Sequence, residues 1–126
     1  VKNPITLAEA IDEYLAERKL KERDTLSDDQ AKRVRKFLER LTEILGPGRQ
    51  VSGLTEQDGQ SVEKILYSLP ADYSLRFKKK GLSIQDAIKS EGQKLDVRTI
   101  NSYLFAQMAF FRWCQKKRYI ALDPMQ

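Results

Sequence analysis

Apolar residues recur along this chain at helical rather than alternating spacing. Leu7, Ile11, Tyr14 and Leu15 fall on one face of a first helix, about 7–22. Ala31, Val34, Phe37, Leu38, Leu41, Ile44 and Leu45 make a stripe on a second, about 28–45. Val62, Ile65 and Leu66 centre a third, about 56–68, and a short helix is expected over 84–90. The last helix, about 97–117, is apolar nearly all round. Val97, Ile100, Leu104, Met108 and Phe111 form its core stripe, and Tyr103, Phe110 and Trp113 widen it, so most of its circumference has to be packed.

The punctuation agrees with these limits. Thr6 with Glu9 and Ser27 with Gln30 have capping-box spacing, and Thr55 with Asp58 and Ser83 with Asp86 repeat it with a shorter acid. Asp96 can cap the last helix. Gly46-Pro47-Gly48 stops the second helix and Leu69-Pro70 the third, whose first turns Gly59 weakens. Residues 70–82 read as a connector with Lys78-Lys79-Lys80-Gly81 at its exposed end. With no alternating strand pattern and no internal repeat, the chain is expected to be all-α, a compact bundle of four to five helices.

Composition narrows the chemistry. The 126 residues suit a single domain with one core. Lys and Arg number 23 against 18 Asp and Glu, a net charge of +5, which suits an anionic partner. There is no histidine and one cysteine. Zinc sites and Ser-His-Asp or Cys-His catalysis are therefore excluded within this chain. A carboxylate enzyme has no motif behind it, and no metal or other cofactor is expected. Cys114 lies in the apolar helix and reads as a small buried hydrophobe, and a lone cysteine makes no intrachain disulfide. No window approaches the ~18 consecutive apolar residues of a membrane span. The first residues carry no signal-peptide pattern, so a cytoplasmic location without a membrane partner is expected.

Two faces are left over for a partner. Lys32, Lys36 and Arg40 form an i, i+4, i+8 row opposite the stripe of the second helix, flanked by Arg33 and Arg35 and diluted by Glu39 and Glu43. That row is either a solvated face whose Glu–Lys pairs contribute ~0.3 kcal/mol each, or an edge that tracks phosphates. On the last helix the remaining arc holds Arg98, Asn101, Ser102, Phe105, Ala109, Arg112 and Lys116. Arg98 and Asn101 are either an exposed polar first turn or readers of base edges, since Arg pairs with guanine O6/N7 and Asn with adenine N6/N7. Small Ser102 and Ala109 would let a nucleic-acid backbone come close.

The order of these pieces resembles the N-terminal, core-binding domain of phage integrases, the tyrosine recombinase family. "ITLAEAIDEYLAER" is similar to that family's opening helix, and "VSGLTEQD" to its lead into the third helix. "VRTINSYLFAQMAFFRWCQKKRYI" is similar to its Thr-Ile-Asn-x-Tyr-Leu…Phe-Phe-x-Trp helix, and "IALDP" to its Ile-x-x-Asn-Pro exit toward the catalytic domain. Together these stretches cover most of the chain. Three features depart from the pattern: Arg118 stands where glycine is usual, Asp123 where asparagine is usual, and the segment 70–93 is longer than in compact members.

The resemblance implies a SAM-like helical domain over 1–122, with 123–126 beginning a linker to a C-terminal catalytic domain. It implies a bacterial or phage-encoded protein whose parent cuts and rejoins DNA through a tyrosine nucleophile carried by that other domain. Tyr14, Tyr67, Tyr73, Tyr103 and Tyr119 are accordingly given no catalytic role. The implied partner is double-stranded DNA, with self-assembly of the parent on it. The contact residues it implies are Lys32, Arg33, Lys36, Arg40, Arg98, Thr99, Asn101, Ser102, Arg112 and Lys116. The alternative is a helical interaction or oligomerisation module of the same fold, docking a partner through Phe105, Phe110 and Trp113 without touching DNA.

Overall fold

The computed structural model describes residues 4–21, 27–73, 77–90 and 92–125. Among them are five α-helices: α1 (Leu7–Lys21), α2 (Asp28–Leu45), α3 (Glu56–Ser68), α4 (Ile84–Ala87) and α5 (Val97–Lys116). Single 3-10 turns cover Val51–Gly53 and Lys78–Lys80, and no strand occurs among the described residues. The expected end of the first helix at Glu22 lies outside those residues, as do Glu91 and Gln126. α4 is shorter than the expected 84–90, because Lys89 and Ser90 turn back with i−3 bonds to Asp86 and Ala87.

Each helix start is held by the side chain its spacing implied. Ser27 Oγ accepts from the Gln30 amide at 3.2 Å while Gln30 Oε1 accepts from the Ser27 amide at 3.1 Å. Thr55 and Asp58 repeat that reciprocal pair, as do Thr6 and Glu9. Ser83 accepts from Asp86, and Asp96 Oδ1 accepts from the Thr99 amide at 2.7 Å. Caps of this kind contribute about 1 kcal/mol each, enough to fix where a helix begins but not to hold it folded alone.

Stability comes from packing around α5, which touches α1, α2 and α3. Ile100, Tyr103, Phe110 and Phe111 meet Leu7 and Ile11 of α1, Leu38 and Leu41 of α2, and Val62 and Leu66 of α3 in one buried cluster. Tyr14 sits edge-on to both Phe110 and Trp113, with ring centroids 5.5 and 5.3 Å away. Buried Gln107 donates to the Phe37 carbonyl at 3.0 Å and sets the register of α5 against α2. Cys114 is fully buried in the same cluster, and burial pushes its thiol pKa up.

Two expectations are corrected. Val97 was placed in the core stripe of the last helix but is 59 % exposed. It occupies the first turn, ahead of the point where α5 meets its neighbours, and Ile100 is the first stripe residue to be covered. The connector is a packed insert. Leu69, Tyr73, Phe77, Ile84 and Ala87 form a second buried cluster, which Ile44 and Leu95 join to the first. Its base is stapled by Ala71 N–H to Gln93 C=O at 2.9 Å and Leu95 N–H to Leu69 C=O at 3.0 Å.

The chain leaves α5 through a Schellman turn. Arg118 and Tyr119 N–H donate to the carbonyls of Gln115 and Cys114 at 3.0 and 2.9 Å. That geometry puts Arg118 at φ +64°, a left-handed position that glycine fills without strain. The exit then crosses α3. A Cβ on Gly59 would lie 2.0 Å from the Pro124 carbonyl oxygen, so Gly59 is where the two backbones touch. Its absence of side chain serves that crossing, at the expense of helix propensity.

Candidate nucleic-acid interface

α5 keeps one side open along its length. Arg98, Asn101, Ser102, Phe105, Arg112 and Lys116 are all exposed on it, and half-buried Ala109 lies between. In its N-terminal half this side forms the floor of a groove of about 1090 Å³ against α2, closed at one end by α1. Arg98, Asn101, Ser102 and Phe105 line it from α5, Arg33 and Phe37 from α2, and Tyr14 and Arg18 from α1. Among the described residues no carboxylate belongs to that lining. Among the described residues, neither Arg33 nor Arg98 holds an ion pair within 4 Å.

The cap of α5 borders this groove. The Thr99 backbone and side chain hold the Asp96 carboxyl below its ordinary pKa, with a smaller push from Arg98. The cap therefore stays ionised and turned to its own amides. The first turn of α5 also carries the positive end of the helix dipole, which favours an anion at the same spot.

The expected contact residues divide. Arg33, Arg98, Asn101 and Ser102 come together in the groove. Lys36 and half-buried Thr99 line an adjoining cavity of about 350 Å³ at the base of the connector, where Asp72 and Asp96 also sit. Lys32 lies on the other flank of α2, in the cleft facing α1. Its neighbour Arg35 is 3.7 Å from Asp12 there. Arg112 and Lys116 are on the far half of α5 beside Trp113.

Arg40 is a correction. It was expected in a solvent-facing row with Lys32 and Lys36 but is 4 % exposed. Its guanidinium donates to Glu43 at 2.7 Å and to the Tyr103 hydroxyl at 3.1 Å, and lies 4.7 Å over the Tyr73 ring. Burial works against its charge, but Tyr103 and Glu43 outweigh it and its pKa is raised. The cause is the connector: Tyr73 folds over the side of α2 that helical periodicity, applied to an isolated helix, leaves open. Lys78 of the connector reaches the other Glu43 oxygen at 2.7 Å, so one lysine of the Lys78–Lys80 run is structural.

Arg18 was missed, although it lines the groove. The only hint was its place one turn beyond Tyr14, at the margin of the first apolar face. The apolar surface offered for a partner helix is smaller than expected. Phe110 is fully buried and Trp113 half-buried, leaving Phe105 exposed.

These features define an all-helical bundle with a cationic groove between two of its helices. Comparison of the chain with protein-family models, curated proteins and solved structures finds no match. Among the described residues no helix is long and apolar enough to cross a membrane, and no cluster of metal-ligating side chains occurs.

Proposed function

We propose that this chain is the core-binding domain of a tyrosine recombinase, a non-catalytic module that holds one side of a DNA duplex. One observation carries the reading: Arg33, Arg98, Asn101 and Ser102 share a groove that no carboxylate lines among the described residues. The groove floor is the helix that bears the Thr-Ile-Asn-x-Tyr-Leu…Phe-Phe-x-Trp resemblance, and Asn101 belongs to both the motif and the groove. The chemistry is that of duplex recognition. Guanidinium groups neutralise phosphates or pair with guanine, the Asn101 amide matches adenine, and the small Ser102 allows close approach. Lys36, one turn from Arg33, extends the phosphate contact, and buried Arg40 takes no part.

Fluorescence anisotropy of a labelled duplex tests this. Neutralising about four to six phosphates gives a log–log salt slope of roughly −4 to −5, with a non-specific Kd of ~10⁻⁴ to 10⁻⁶ M. Lys36→Ala weakens binding to all sequences alike, whereas Arg98→Ala removes ~1–3 kcal/mol of discrimination at one base pair. Absence of salt-dependent duplex binding at low ionic strength refutes the proposal.

A further inference from the structure

We infer that Phe105 is a specificity-determining residue that reads the C5-methyl group of thymine, so that the groove selects A·T-containing steps. This rests on the proposed DNA-binding reading and deepens it.

Phe105 is 74 % exposed, in the same chain that buries Phe110 and Phe111 completely. It lies in the groove, on the same side of α5 as Arg98, Asn101 and Ser102, at positions i, i+3, i+4 and i+7. Seven residues of helix span about 10 Å, roughly three base-pair steps at 3.4 Å each. Side chains three to four apart on a helix in the major groove meet successive bases, so Arg98, Asn101 and Phe105 address neighbouring base pairs. The bulkiest apolar group that a standard base pair shows in that groove is the thymine methyl. A phenyl ring placed in line with one base-reading arginine and one base-reading amide has that methyl as its chemical counterpart.

The occupant is nucleic acid because of what surrounds the ring. Arg33 and Arg98 line the groove without an ion pair, and among the described residues no carboxylate lines it, a setting complementary to a polyanion. Half-buried Ala106 and Ala109 flank Phe105 on α5 and leave room for the duplex to reach the ring.

The test measures anisotropy of two labelled alternating duplexes, poly(dA-dT) and the same polymer with deoxyuridine for thymidine. The chains are wild type, Phe105→Ala and Phe105→Leu, each checked for native helicity by circular dichroism. Losing one buried methyl corresponds to about a four-fold change in affinity. Wild type is expected to bind the thymine duplex about four-fold tighter than the uracil duplex. Phe105→Ala is expected to bind both equally while keeping its salt dependence, and Phe105→Leu to retain most of the preference. Equal binding of both duplexes by wild type, with salt dependence intact, overturns the inference and leaves DNA binding standing. A thymine preference that survives in Phe105→Ala overturns the assignment to this residue. No binding of either duplex at low salt overturns the DNA-binding reading and this inference with it.

Discussion

The two halves of α5 treat charge in opposite ways. Toward the C-terminal end, α1 supplies carboxylates that engage Trp113 and the exit of α5, while Arg112 and Lys116 stay exposed on the open side. Glu17 accepts from the Trp113 indole at 3.1 Å and pairs with Lys117 at 3.2 Å and Lys21 at 2.8 Å. Glu13 accepts from the Tyr119 hydroxyl at 2.8 Å, which raises the tyrosine pKa. Toward the N-terminal end, Arg98 and Arg33 line an open groove that, among the described residues, includes no carboxylate. Net charge therefore says little by itself. Arg35, Arg40, Arg49, Lys78 and Lys117 have internal anions. The cations that matter for an outside partner are those left without one.

The largest effect is expected from Arg40→Ala. It empties a buried site and leaves half-buried Glu43 to Lys78 and the Tyr73 hydroxyl, and is expected to lower stability by about 3 kcal/mol in urea unfolding. DNA affinity of the folded fraction should be unchanged, and Arg40→Met should lose less because it refills the space. A large loss of DNA affinity with little loss of stability would put Arg40 back on the binding face. Gly59→Ala comes next and probes the closed end. Alanine gains about 1 kcal/mol of helix propensity, yet the clash with the Pro124 carbonyl should give a net loss of about 2 kcal/mol in thermal unfolding. A neutral or stabilised variant would mean that the exit does not rest on α3.

Arg118→Gly is expected to stabilise by about 1 kcal/mol, because glycine removes the strain of a left-handed φ at the end of α5. Differential scanning calorimetry at neutral pH measures it. The smallest effect expected is that of Glu17→Gln. Hydrogen bonds from Lys21 and then Lys117 hold the Glu17 pKa at about 2, below its ordinary 4.5. A folded-state pKa below the unfolded one stabilises above 4.5, and that contribution fades as pH falls toward 2. Wild type should thus lose stability more steeply than Glu17→Gln across this window, the two curves drawing together near its acidic end. Parallel curves would remove Glu17 from the clamp.

Local signals were legible in the sequence, and signals that depend on a third element were not. The helix limits were readable because Ser27 with Gln30 and Thr55 with Asp58 mark a start by their own spacing, and the stripe of α2 needs only periodicity. Arg40 was misplaced because an angular position on one helix does not know that Tyr73 folds across it. Val97 was misplaced because the stripe continues past the point where neighbours stop. Gly59 read as a weakness because Pro124, 65 residues later, supplies the reason for it. The candidate groove was half-visible: Arg98, Asn101 and Ser102 share a face by spacing alone, but joining them to Arg33 and Arg18 requires the tertiary arrangement.

The stapled base of the connector has a consequence for how this protein can diverge. Its two ends leave and rejoin the bundle side by side at Leu69 and Leu95, and Tyr73 and Lys78 rest on Arg40 and Glu43 of α2, so the bundle senses that closure and those contacts rather than the full length between them. Doubling the length of such an excursion costs only about 0.6 kcal/mol in closure entropy. Homologous chains can therefore differ greatly in size at this point while the helices around it keep their registry.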